Sequence, residues 1–133
     1  MKKFKSALVL VVLFMSIVLL VGCKGSKKIQ GTWKAQDSTG KNSTIQFKEN
    51  VVVIDNQEYD YKQNATGFKN QVSYYGITQN GEQYSIIFPE KNKNIALLIR
   101  PTSTDDYLAG EMLYALNRKE EPNYKEYAEK YFK

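Results

Sequence analysis

The chain has 133 residues, with 19 Lys+Arg against 14 Asp+Glu and no histidine, which allows one domain once a targeting segment is set aside. The net charge of +5 does not mark a nucleic-acid groove: Lys2, Lys3 and Lys5 precede the single cysteine, Lys24, Lys27 and Lys28 follow it, and residues 29–133 carry 13 basic against 14 acidic side chains. One cysteine excludes an internal disulfide, so core burial alone must hold the fold.

Met1–Lys5 is a short positive segment, and Ala7–Val21 is apolar apart from Ser16. A helix over that run spans about 22 Å, short of the ~30 Å hydrocarbon core, so it predicts a signal peptide rather than a permanent anchor. Leu20-Val21-Gly22-Cys23 then resembles the lipobox of bacterial lipoproteins. The resemblance implies cleavage before Cys23, a diacylglyceryl group on its thiol, palmitate labelling and a place on the extracytoplasmic face of the membrane. Two acyl chains anchor far more firmly than one, at about 0.8 kcal/mol per buried CH₂. Residues 1–22 are thus expected as signal, and 23–30 as a lipidated tether whose Lys24, Lys27 and Lys28 lie beside anionic headgroups.

From Gly31 the pattern turns to short alternating runs separated by turn residues. Gly31–Ala35 reads as a first strand, and Asp37-Ser38-Thr39-Gly40 as its turn. Thr44–Lys48 places Ile45 and Phe47 on one face, and β-branched Val51–Ile54 ends at Asp55-Asn56, a two-residue hairpin turn. Glu58–Lys62 follows, and Asn64–Gly67 is expected to break it. Val72–Gln79 leads into Asn80-Gly81, the strongest hairpin signal in the chain. Tyr84–Phe88 closes at Pro89, Asn94–Arg100 at Pro101, and Leu108–Leu116 is the final extended run. Roughly seven or eight short strands in meander order predict a mainly β domain over 31–118, an antiparallel up-and-down barrel or sandwich.

Residues 119–133 are expected to form a helix. Pro122 suits its first position, and Tyr124, Tyr127, Ala128 and Tyr131 share one face, which predicts docking on the barrel wall. Glu121–Lys125 and Glu126–Lys130 are spaced to pair along it.

Gly31-X-Trp33 at the first strand, the antiparallel meander and the terminal helix together resemble the lipocalin (calycin) architecture. That resemblance implies a barrel end closed by Trp33, with an Arg after the last strand packed over it. Arg118 is the best-placed candidate and Arg100 its rival. Signal, tether and a Lys- and Asn-rich, histidine-free domain also resemble the small lipoproteins of low-GC Gram-positive bacteria.

Catalytic chemistry has little to work with. Without histidine the chain lacks the commonest general base and metal ligand, and its one thiol is assigned to lipid. No phosphate loop, nucleophile motif or calcium loop is present, so no catalytic residue, cofactor or metal is expected. Tyrosine stands out instead: ten, all after Cys23. Its apolar body and polar tip suit a cavity lining or rim. Tyr74 and Tyr75, adjacent in a strand, must face opposite ways, and with Tyr84 they are the candidate ligand contacts. The resulting expectation is a monomeric, non-enzymatic surface module that binds a small amphipathic ligand or a peptide. The alternative is a protective, immunity-type protein that intercepts a bacteriocin, phage component or host factor.

Overall fold

The computed structural model describes residues 24–132, so Cys23 and the signal segment lie outside the described residues. Nine strands form one antiparallel sheet: β1 Gly31–Asp37, β2 Asn42–Phe47, β3 Val51–Ile54, β4 Gln57–Asp60, β5 Lys62–Lys69, β6 Val72–Gln79, β7 Glu82–Phe88, β8 Ile95–Ser103 and β9 Asp106–Asn117. The spatial order is β4-β3-β2-β1-β9-β8-β7-β6-β5, with a helix, α1 (Tyr124–Tyr131), after the last strand. This is an up-and-down meander in which each strand neighbours its sequence predecessor except β5, which lies at the opposite edge from β4, and β9 returns to pair with β1.

The hairpins form where the turn chemistry demands. Asp55 (φ 48°) and Asn56 (φ 71°) join β3 to β4, and Asn80 (φ 53°) and Gly81 (φ 78°) join β6 to β7. Consecutive positive φ values give the primed turn whose twist matches that of paired strands. Two expectations need correction. Asn64–Gly67 does not end a strand but lies inside β5, whose far end turns at Asn70-Gln71 (φ 54° and 65°). Likewise β8 runs through Pro101 to Ser103. The proline is tolerated because pairing with β7 ends at Ile99, leaving that side of β8 an edge.

The two outermost strands are consecutive in the chain. β4 pairs only with β3, β5 only with β6, and Tyr61 alone links them. In a wholly antiparallel sheet their positions in the order give them the same sense. Gln57–Lys69 is therefore one extended run, bent at Tyr61, that borrows its partners from opposite edges. No ladder joins β4 to β5 among the described residues.

One face of the sheet encloses a cluster containing Trp33, Ile45, Val52, Ile77, Ile86 and Leu98, so both halves of the sheet contribute to one interior. The opposite face is covered over β7–β9, where Ile87, Leu97, Ile99, Met112 and Ala115 pack against Tyr124, Tyr127, Ala128 and Tyr131 of α1. Each tyrosine also finds a polar partner. Tyr124 Oη donates to Met112 O at 2.6 Å, Asn117 Nδ2 donates to Tyr127 Oη at 3.0 Å, and Tyr131 Oη donates to Glu90. The tyrosine face is thus consumed in docking. The helix starts two residues later than Pro122 suggests, with Asn123 as its cap: Asn123 Oδ1 accepts from Glu126 N at 2.9 Å. Lys130 pairs with Glu90 at 3.4 Å rather than along the helix.

Tyr61 is buried at the bend, edge-on to Phe47 with ring centroids 5.5 Å apart, and its hydroxyl donates to Lys48 O. Burial, with the Glu49 carboxylate adding to it, pushes the phenol up to about 12 from its usual 10.0. A phenol whose folded pKa is raised stabilises the fold while it stays protonated. That contribution is complete below pH 10, is lost as pH rises from 10 toward 12, and then levels off. Urea unfolding between pH 9 and 12 should show this loss, and Tyr61→Phe should flatten it.

Candidate functional site

Residues 24–30 do not extend away from the domain. Ile29 N and Gln30 N donate to Ser26 O at 3.1 and 3.2 Å, a tight turn pinned by Gly25 N to Glu49 O at 2.8 Å and Ser26 N to Gln63 Oε1 at 2.7 Å. The turn drives Ile29 into the inner cluster, fully buried, and Ile29 O accepts from Trp33 Nε1 at 3.0 Å. This covers one side of the inner cluster.

Arg118 lies over that side. Its guanidinium carbon is 3.8 Å from the Trp33 ring centroid, a cation–π contact worth about 0.5–2 kcal/mol. Nη1 donates to Gln30 O at 2.9 Å, Nη2 to Lys28 O at 2.7 Å and Nε to Lys93 O at 3.4 Å. The planar fork thereby ties the N-terminal turn and the β7–β8 loop to the end of β9. Burial lowers its pKa from the usual 12.5. Arg100 is elsewhere, exposed between Glu82 at 3.9 Å and Glu111 at 3.7 Å. Gly31 permits the arrangement: its φ is +111°, and a Cβ there would stand 2.8 Å from Arg118 Nη1.

Further along the interior is a cleft of about 280 Å³ lined by Ile45, Ile54, Tyr59, Ile77, Tyr84 and Tyr114, among others. Leu113 also lines it, placed there by a β-bulge: Leu98 faces Tyr114 and Ile99 faces Met112, which leaves Leu113 unpaired. Tyrosine hydroxyls and Gln79 supply its polar groups. Tyr84 Oη donates to Glu82 Oε2 at 3.0 Å and Tyr59 Oη to Gln57 Oε1 at 2.7 Å. Burial raises the Tyr84 phenol, with Glu82 reinforcing it, and burial raises Tyr114, with Asp37 and Asp55 reinforcing it. These hydroxyls therefore remain protonated donors beside a rim of carboxylates.

The candidate contacts divide between the two faces. Tyr84 lines the cleft. Tyr75 packs on the inner cluster edge-on to Phe88, with centroids 5.8 Å apart, outside the cleft lining. Tyr74 lies on the outer face, stacked on Tyr107 at 5.4 Å. Sequence reasoning missed Tyr59, Tyr114 and Leu113 as cleft residues. The first two are legible only as strand tyrosines, and a bulge has no sequence signature here. No protein-family model, curated protein or solved structure matches the chain.

Three carbonyls and an indole face satisfied by one planar cation cannot be matched by an ammonium. Arg118→Lys should cost about 1.5–3 kcal/mol, the scale of hydrogen bonds to a charged group, and Gly31→Ala about 1–3 kcal/mol through strained φ. Arg100→Lys should stay within about 0.5 kcal/mol. Shifts of the urea midpoint read all three.

Proposed function

We propose that the protein is a lipid-anchored extracytoplasmic binding module, not an enzyme, and that its curved sheet is a lipocalin-like barrel. Counting Gln57–Lys69 as one bent strand leaves eight, and that strand pairs with both edges of the meander. This supports closure of the wall by a single segment, as does an inner cluster fed from every side.

The observation that carries the functional reading is the cleft. Its lining is hydrocarbon with tyrosine hydroxyls and one amide, and holds no carboxylate, amine or thiol. Ligand sites are apolar cavities with a few placed polar groups, commonly about 300–1,000 Å³. At 280 Å³ this one lies just below that range. Allowing ~30 Å³ per small group, it takes about ten heavy atoms, the size of a short alkyl chain or one large peptide side chain. Asp37, Asp55 and Glu82 near the rim favour a neutral or cationic head on that ligand. Anchorage rests on the Leu20–Cys23 lipobox and on residues 24–30, which bring the chain out of the folded body directly behind Cys23.

Decylamine should displace an apolar fluorescent probe from the protein at least tenfold more effectively than decanoate. Ile54→Trp, which fills the cleft, should abolish displacement while leaving the urea midpoint nearly unchanged. Probe binding indifferent to Ile54→Trp would sink the cleft assignment. Anchorage is checked separately: Cys23→Ala should lose palmitate labelling, and persistence of the label would refute acylation at Cys23.

A further inference from the structure

We infer that the Trp33-closed end of the domain is a membrane-facing surface that seats on an anionic bilayer and holds the cleft mouth toward the outside. The inference rests on the anchored reading above, but four of the six lysines that carry it are far from Cys23 in sequence. Arg118 gathers the backbones of Lys28, Gln30 and Lys93 at one end of β1, and Gly25 binds Glu49 O there. Lys27, Lys28, Lys48, Lys91, Lys93 and Lys119 are consequently brought to the same end, all exposed. None of the six forms an ion pair among the described residues.

Of the carboxylates at this end, Glu49 pairs with Lys24 at 3.2 Å and Glu90 with Lys130 at 3.4 Å, and the six lysines outnumber the exposed Asp60, opposite Val51, and Glu120. The domain from residue 29 onward has a small net negative charge, so this cationic end is a matter of placement, not composition. It is matched by acid near the cleft: Asp37 and Asp55 flank Tyr114 at the other end of β1. An anionic surface attracts such a dipolar body by its basic end within about 8 Å, the Debye length at physiological salt.

A second, independent observation selects lipid over a soluble polyanion. Phe68, near the end of β5, is 70% exposed, and it lines a groove with Phe88, Pro89, Lys91 and Lys93. An aromatic ring in open solvent among lysines suits the boundary between headgroups and acyl chains. An acidic peptide would meet the lysines and leave the ring wet. β1 has seven residues, so at about 3.3 Å each the cleft rim stands roughly 20 Å above this end. A ligand then arrives from the outside and not from the supporting leaflet.

The test uses the acylated full chain in vesicles of 30% phosphatidylglycerol in phosphatidylcholine, spin-labelled through Phe68→Cys or Thr39→Cys. Both positions are exposed, and position 39 is in the turn at the far end of β1. The label at 68 should collide preferentially with lipid-dissolved oxygen and the label at 39 with an aqueous nickel chelate. Replacing Lys27, Lys28, Lys91 and Lys93 together by Gln, or omitting phosphatidylglycerol, should return the label at 68 to water. Equal aqueous exposure of both labels, or lipid exposure at 39, would overturn the seating. Flotation of the same vesicles reports anchorage independently, so a protein that floats with both labels in water refutes the seating alone.

Discussion

The contact on which the rest depends is the stack of Arg118 on Trp33. The inner cluster is apolar, and any side of it left uncovered would meet water. At one end a single guanidinium solves the problem three ways. Its face covers the indole, its edge donates to three carbonyls, and its attachment at the end of β9 ties the last strand to the first. The β1–β9 ladder alone is short, covering Lys34–Asp37 against Tyr114–Asn117. Arg118 extends that junction by one more residue pair with side-chain bonds in place of a ladder.

The closure also explains why the N-terminal segment folds. Residues 24–30 have little apolar content apart from Ile29, and alone they would remain a solvated linker. They are ordered because Trp33 Nε1 needs a buried acceptor, which Ile29 O provides, and because Arg118 needs carbonyls, which Lys28 and Gln30 provide. A buried indole N–H without a partner would cost about 1–3 kcal/mol. Sequence and tertiary demand thus meet at Gly31, whose positive φ turns the chain from the plug into the first strand.

Much of this was legible in the sequence, and the failures have identifiable causes. Asp55-Asn56 and Asn80-Gly81 announced their turns because Asp, Asn and Gly tolerate positive φ. Asn70-Gln71 announced nothing, since glutamine has no such preference and tertiary pairing of β5 with β6 forces it there. Asn64 and Gly67 looked like a break. Instead Gly67 sits in mid-strand because Tyr74 crosses it, with room for no Cβ, and Asn64 pairs its amide with Gln83. The spacing of strand tyrosines indicated a rim but not which of them reach the cleft. That depends on curvature and on the bulge at Leu113, neither of which is written in local pattern.

Tyr61 is the one residue between the two outermost strands of a near-neutral, disulfide-free sheet. β4 is too short and too polar to stand as an independent edge strand: all four of its residues are exposed. Free edges of this kind invite pairing with other chains. One run through a buried aromatic lets each half cover one edge of the β3–β6 meander. The bend also fixes the polarity of the body. Tyr61 Oη reaches Lys48 O and Glu49 O accepts from Gly25, so the bend, the plug and the β2–β3 turn converge on the Arg118 end. Hydrogen bonding concentrated there leaves the opposite end of the interior the less obstructed one, and that is where the cleft lies.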